Sequence, residues 1–439
     1  MVHRKIFFKW LLSILFFTVA GDAQAQRYLT DMDTSLFHRD TVSRVVKRFE
    51  NIVISGYMQP QYQLAQTKGA PAYGGGNFDR FTNNRFMLRR ARVKLDYVVP
   101  GKKGDFPTAL FTFQFEATER DVNVRDVFVR IFEPKAKNLS LTAGLFSRPF
   151  GFEVNLSSSF RETPERGRMS QILMPSERDL GVMVTLNNQK ENKKKLPIKW
   201  DAGIFNGQGK SGPKEFDSYK DIISRLTLKP LALNNNSDIE ISGGLSILYG
   251  TYVQASRYKY EMDGSNNVKS FKVDSSLDNI GARLPRHYYG ADVQLIKKHG
   301  WGKTELRAEY WRGTQTGTIS TSENPGDLPL EPAYIRNFDG AFIYFLQNII
   351  SDKWELMAKY DFYDPNTGVQ QQEIGASGTN LTATDIRYQT LGLGLTHYFN
   401  SKLKLLVYYD IVSNEKTLLP EFTSDARDNI FTCRLQMRF

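Results

Sequence analysis

The 439-residue chain contains one cysteine, Cys433, which excludes a disulfide framework within the protein. Histidine is scarce too: five in all, and beyond residue 25 only His38, His287, His299 and His397. None accompanies a serine nucleophile motif, and there is no HExxH, paired-cysteine zinc pattern or glycine-rich nucleotide loop. Nothing here calls for catalysis, a metal or a cofactor; carboxylates such as Asp425 and Asp428 read as ordinary loop chemistry. After residue 25 there is also no run of 18 or more apolar residues, so a helical membrane span is excluded. The formal charge is +11, but its basic residues are dispersed and form no nucleic-acid-binding pattern.

What the chain does have begins at its N-terminus. Arg4, Lys5 and Lys9 precede the apolar stretch Leu11–Val19, and Ala23-Gln24-Ala25 offers a small-residue cleavage site. Residues 1–25 therefore read as a secretory signal peptide. A membrane anchor would need about 20 apolar residues, and Asp22 arrives first. Residues 26–50 read as a periplasmic lead-in, in which Asp40–Glu50 could form a short amphipathic helix.

From residue 51 onward, segments of alternating polarity recur between turn residues. They predict strands over 52–64, 84–98, 108–118, 122–133, 138–147, 180–188, 197–206 and 220–230. The second half predicts strands over 238–252, 286–298, 302–314, 336–347, 353–364, 385–399, 402–413 and 428–439. Most approach the roughly 9–11 residues of a tilted membrane crossing, and sixteen is an even number, as closed bacterial barrels have. The connections between them alternate in length. Short ones such as Lys298–Gly302 and Asn400–Ser401 take turns with long ones such as Arg148–Asp179, Arg257–Pro285 and Asp364–Thr384. Only the hairpin at Glu119–Asp121 breaks the rhythm. Residues 51–439 are thus expected to form an all-β transmembrane antiparallel barrel, with short periplasmic turns and long extracellular loops.

The faces of individual strands agree. On the last strand Phe431, Cys433, Leu435, Met437 and Phe439 share one side, while Thr432, Arg434, Gln436 and Arg438 share the other. Phe111, Phe113 and Phe115 oppose Thr112, Gln114 and Glu116, and Leu306, Ala308 and Tyr310 oppose Glu305, Arg307 and Glu309. Trp354, Leu356, Ala358, Tyr360 and Phe362 likewise oppose Glu355, Lys359 and Asp361. Charged faces belong in a watery lumen and apolar faces in lipid. Aromatic residues, 13% of the chain, suit the girdles at the two interfaces.

Two regions concentrate positive charge. In the second strand Arg90, Arg92, Lys94 and Asp96 fall on the lumen wall, spaced about 7 Å apart. Arg89 lands on the lipid side unless it snorkels or a bulge intervenes. These cations could hand an anion along the wall, or they could pair with acids such as Glu116 and brace the barrel. The second region is the loop 148–179, too long and too apolar (Phe150, Phe152, Leu156, Phe160, Ile172, Leu173) to stay in solvent. It is expected to fold inward and narrow the pore. Arginine suits oxyanions because its fork binds two oxygens. Arg161, Arg166 and Arg168, with Arg148, are therefore the candidates for an anion-binding constriction, and Arg178-Asp179 for a bracing pair.

Three stretches in order carry a resemblance: Phe86-Met-Leu-Arg-Arg-Ala-Arg-Val-Lys-Leu, Ala143-Gly-Leu-Phe-Ser-Arg-Pro-Phe-Gly-Phe-Glu153, and Pro175-Ser-Glu-Arg-Asp-Leu-Gly181. Together they resemble the phosphate-selective porin O and P family, in the form found in the Bacteroidetes group. The resemblance spans about 52–439 and implies a sixteen-stranded homotrimer with an inward third loop, passing phosphate over arginine and lysine. It singles out Arg90 and Arg92 on the strand, and Arg148, Pro149, Phe150, Glu153, Arg178, Asp179 and Gly181 around the loop. The third loop here alternates Glu with Arg, as in Arg161-Glu162 and Glu165-Arg166, so its funnel is partly self-neutralised.

The expectation is a passive porin for small, anionic solutes in the outer membrane of a Gram-negative bacterium, in contact with lipid and lipopolysaccharide. An adhesin-like barrel binding partners through its long loops is the alternative, and a barrel hydrolase is a weaker one. An open lumen separates the first from the second.

Overall fold

The computed structural model describes residues 51–72, 75–101, 106–135, 137–187, 197–210, 212, 214–233, 238–263 and 269–439. The expected signal peptide and lead-in lie outside the described residues.

Sixteen strands form one closed antiparallel barrel. The first eight are β1 (Ile52–Ala65), β2 (Asn84–Val99), β3 (Ala109–Ala117), β4 (Val122–Phe132), β5 (Leu139–Ser147), β6 (Arg178–Leu186), β7 (Ile198–Phe205) and β8 (Asp221–Ala232). After β9 (Ile239–Val253) the loop carries a short hairpin, β10 (Lys259–Asp263) and β11 (Ser270–Asp274). The wall resumes with β12 (Arg283–His299), β13 (Gly302–Gly317), β14 (Ala333–Ile349), β15 (Ser351–Asp364), β16 (Tyr388–Tyr398), β17 (Leu403–Asn414) and β18 (Ile430–Arg438). The segregation of loop lengths holds, with the tight β3–β4 turn on the long-loop side as its exception. The hairpin β10–β11 departs from expectation, since it lies within the stretch 257–285 expected to be loop. It adds to the sheet by running β10 parallel to the start of β14.

The ring closes where β1 pairs with β18. Phe439 N donates to Gly56 O at 3.0 Å and Gly56 N to Phe439 O at 3.1 Å. Closure leaves no free strand edge, which is what allows a sheet to sit in hydrocarbon. The outer surface is the apolar one: Ile54, Val93, Phe111, Leu141, Val182, Ile204, Leu245, Leu306, Ile343, Leu393 and Leu435 are all exposed. The inner faces are polar, with Gln59, Thr112, Arg130, Thr142, Arg225, Glu305 and Thr432 buried. A water-soluble sheet would reverse this arrangement.

Two β-bulges change what the wall presents inward. Between β1 and β2, Gln59 faces Arg90 but Pro60 faces Leu88, so Arg89 is an extra residue. Between β3 and β4, Gln114 faces Asp126 but Phe115 faces Val124, which makes Arg125 extra. A bulge lets one added side chain turn to the same face as its neighbour. Both extra arginines reach acids of the interior loop, so Arg89 is on the inner side and not in lipid.

Candidate functional site in the loop-filled lumen

The connection from β5 to β6 enters the barrel and crosses it. Its start is fixed first. Phe150 is fully buried, edge-on to Trp311 with ring centres 4.8 Å apart. At Gly151 the backbone takes φ 68°, and a Cβ there would lie 2.3 Å from Glu309 Oε1 and 2.7 Å from Trp311, so only glycine fits. The turn then rests on one carboxylate: Phe152 N and Glu153 N donate to Glu309 Oε1 and Oε2 at 2.8 and 2.9 Å.

From that anchor the loop touches most of the wall. Ser158 meets Tyr57 Oη at 2.5 Å and its carbonyl accepts from Gln59 Nε2 at 3.0 Å. Lys404 Nζ donates to Arg161 O at 2.9 Å, and the Arg438 guanidinium lies over Phe160. Glu162 receives both Nη atoms of Arg307 at 2.8 and 2.9 Å. A short helix, α1 (Arg168–Leu173), then buries Met169, Ile172 and Leu173. These residues and Phe150, Phe152, Val154 and Leu156 join wall residues Phe146, Met183, Phe205, Ile223, Leu248, Tyr288 and Phe338 in one apolar core inside the barrel. The loop thus does more than narrow the lumen; it fills the middle with packed side chains.

Three carboxylates hold the far part of the loop. Glu153 is buried and accepts from Gly167 N at 2.9 Å, Tyr344 Oη at 2.7 Å and Ser170 Oγ, with Lys359 Nζ at 3.6 Å. Burial opposes its charge, but Lys359, Arg161 and these hydrogen bonds hold its carboxyl below the usual range. Glu165 receives Arg89 at 2.9 Å, Arg90 at 2.6 Å and Arg434 at 3.0 Å. Glu177 lies 2.5 Å from Arg125, 3.6 Å from Arg178 and 3.8 Å from Arg166. Burial likewise opposes ionisation of Glu165 and Glu177, and the surrounding arginines overcome it, leaving both carboxyls well below their usual range.

Arg90, Arg92 and Lys94 do face the interior, each on an acid: Glu165, Glu116 and, at 2.8 Å, Asp96. Arg148 is buried and donates to Ser176 O and, at 3.5 Å, to Gly207 O, which ties the loop's two ends together. Pro149 and Phe150 belong to the anchored start. Arg178 braces Asp126 at 3.0 Å, not its neighbour Asp179, which instead accepts from Gly207 N at 2.6 Å. Gly181 lies beneath Phe205, where a Cβ would come within 2.6 Å of the ring. Arg161 donates to Leu156 O, and Arg166 donates to Ser170 O and Met174 O. Arg168 lies with its guanidinium 3.7 Å from the centre of the Tyr388 ring.

A cavity remains between this loop and the wall of β15 to β18, roofed by Pro71 and Ala72 of the first loop. Arg166 and Arg168 line it with Lys359, Asp361, Asp410 and Asp428. Alternation places Lys359 and Asp361 on the inner face. That Asp410 and Asp428 share their cavity is a tertiary fact with no local sign. The acid hubs Glu165, Glu177 and Glu309 were legible only as inward or loop carboxylates, because each gains its partners from distant strands.

Among solved structures the barrel is similar to OprB of Pseudomonas putida, with a TM-score of 0.56 at 9% identity over 89% of this chain and 94% of that one. It is also similar to the anion-selective porin from Comamonas acidovorans, at a TM-score of 0.52 and 9% identity over 88% and 98% of the two chains. The outer membrane channel DcaP of Acinetobacter baumannii gives a TM-score of 0.51 at 12% identity, over 88% and 97%. Its fold is that of the outer-membrane porins of Gram-negative bacteria. No protein-family model matches the sequence, and no curated protein matches it. At these identities the likeness to porins is one of fold, and this porin-type barrel carries the lipid-facing belt of an outer-membrane protein.

Proposed function

We propose that the chain is a passive outer-membrane porin whose third loop leaves a narrow, charge-lined path for small hydrophilic solutes, anions such as phosphate among them. One observation carries the anionic preference. Among the described residues, the seven guanidinium groups of Arg89, Arg90, Arg92, Arg125, Arg166, Arg178 and Arg434 pair with four carboxylates, those of Glu116, Asp126, Glu165 and Glu177. The surplus positive charge lowers the barrier to an anion approaching along a watery path between low-dielectric walls. Arg161, Arg166 and Arg168 at the loop, with Arg148 holding its base, form the constriction in this reading. Phosphate as the particular anion rests on the sequence resemblance. An exported precursor, removal of residues 1–25, a homotrimer and contact with lipopolysaccharide complete the proposal, and transport needs no chemical step.

The test is a planar-bilayer recording of the refolded protein under a salt gradient, followed by phosphate titration of the current. An anion-biased reversal potential with block by low phosphate supports the reading, and Arg166→Gln or Arg168→Gln should weaken both. Weakly selective ohmic current removes the anionic preference. A folded barrel that passes no current overturns the porin itself.

A further inference from the structure

The extracellular mouth of the barrel is covered unevenly. From β12 to β15 the wall is tall, with strands of 17, 16, 17 and 14 residues, and the loops above it fold together. Arg336, on the inner face near the start of β14, pairs with Asp385 of the β15–β16 loop at 2.8 Å, and neither side chain is exposed. Arg336 Nη1 also donates to Thr318 O of the β13–β14 loop at 3.0 Å. Phe271 N of β11 donates to Thr379 O at 2.9 Å, which fastens the hairpin to the β15–β16 loop. Phe271, Tyr334, Val369, Ile374, Leu381 and Ile386 give this cover an apolar core of its own. The β13–β14 loop also dips inward, where Asn324 N donates to Ile172 O of α1 at 3.3 Å. A path under the cover would have to part Arg336 from Asp385 and leave two charges buried without partners, which is costly.

The other side of the ring is low. Strands β3 to β7 have only 9, 11, 9, 9 and 8 residues, and β3 and β4 meet in a tight turn at 118–121. At about 3.3 Å of rise per residue, this wall ends well below the cover. The Arg120 side chain at the turn is 83% exposed. Inside the rim, Pro175 of the third loop is exposed as well, two residues before the Glu177 that Arg125 of β4 holds. Arg89 and Glu116 on the inner wall keep 22% and 16% of their side-chain surface open, although both are ion-paired. Water therefore reaches the interior here, where strands are short, and is shut out at Arg336 and Asp385.

We propose that solutes enter the barrel over this low rim, between the β3–β4 turn and the third loop, and that Arg89 and Glu116 are the first interior groups they meet. This rests on the porin reading above and locates its outer entrance. An entering solute then passes the arginine-rich wall of β2 and β4 before it reaches the acidic cavity at β15 to β18. The order matters, because the charge nearest the entrance sets which ions are concentrated there. Arg89 thereby gains a second part: it ties Glu165 to the wall and faces the incoming solute.

Charged thiol reagents can locate the path in a planar bilayer. In a Cys433→Ser background, the full refolded chain carries either Arg120→Cys on the rim or Ser377→Cys on the cover, both at exposed positions. Each is modified with a sulfonate-bearing or a trimethylammonium-bearing methanethiosulfonate under a salt gradient. At about 0.1 M salt a surface charge acts over about 10 Å, so only a charge close to the path alters selectivity. On Arg120→Cys the sulfonate should shift the reversal potential towards cations and the trimethylammonium group towards anions. On Ser377→Cys neither reagent should shift it. Dithiothreitol removes the added group and should restore the starting potential, which shows that the barrel stayed intact. Equal shifts from Ser377→Cys, or none from Arg120→Cys, would overturn entry over the rim and leave the porin reading standing. If the folded wild-type barrel passes no current, the porin reading fails and this inference with it.

Discussion

Glu165 and Arg434 are 269 positions apart in the chain and 3.0 Å apart in the barrel. One belongs to the third loop and the other to the last strand, whose pairing with β1 closes the ring. The same carboxylate holds Arg89 and Arg90 of β2, so a single loop residue ties together both sides of the closing seam.

Replacing Glu165 by Gln should therefore destabilise the folded barrel by about 3–5 kcal/mol, because three clustered arginines lose their counter-charge. The temperature at which the barrel loses its heat-modified gel mobility reports the loss. An unchanged transition temperature would show that the arginines repair themselves with water.

Glu309 supports the loop from the opposite wall, accepting two of its backbone amides and Trp311 Nε1 at 2.6 Å. With Glu309→Ala the start of the loop is left with buried, unpaired amides, at about 1–3 kcal/mol each. The loop should detach, and single-channel conductance should rise severalfold and become noisy. Conductance equal to the wild type would mean that the apolar core alone positions the loop.

Acid should loosen the loop in a defined window. The Glu165 and Glu177 carboxyls lie well below their usual range in the folded protein, burial being outweighed by the arginines around them. A depressed carboxyl contributes stability that is present above its unfolded value, about 4.3, and lost as the pH falls through the folded value. Thermal stability should hold from pH 7 to about 4.5 and decline below that. A decline beginning at pH 6 would contradict these ion pairs.

Selectivity should respond to milder acid. Burial pushes the Asp428 carboxyl up to about 6, with Asp425 adding to the rise and Arg168 opposing it. Lowering the pH from about 7 to about 5 should protonate Asp428 and shift the reversal potential towards anions. Asp428→Asn should abolish that shift, and a shift of the same size in the variant would assign it to another group.

Gly56 is where the seam admits no side chain. A Cβ there would lie 2.5 Å from Arg92 O and 2.5 Å from the Phe439 ring. Gly56→Leu should cost about 1–3 kcal/mol through overpacking and reduce the yield of closed barrel on refolding into detergent. Gly56→Ala combined with Phe439→Leu should recover only part of it, since the double change removes the ring but leaves Arg92 O in place.

Much of this architecture is written in period-two alternation. Leu306 beside Arg307, or Leu356 beside Glu355, shows which side meets lipid, because a charge in hydrocarbon and an apolar side chain in water are both costly at any point along the strand. The count of sixteen strands and the long and short connections follow from the same local signals. Arg89 shows where the local pattern stops. Simple alternation sent it towards lipid, and it is a bulge opposite Pro60 that turns it inward.

The sequence by itself determined the barrel, its inner and outer faces and the inward course of the third loop, since each depends on the polarity of neighbouring residues. Only the tertiary structure decided the partners: that Arg178 braces Asp126, that Glu165 gathers arginines from two strands, and that Asp410, Asp428 and Arg168 share one cavity. A charged side chain's partner depends on which strands the closed ring brings opposite one another, and that closure is a property of the whole chain rather than of any segment within it.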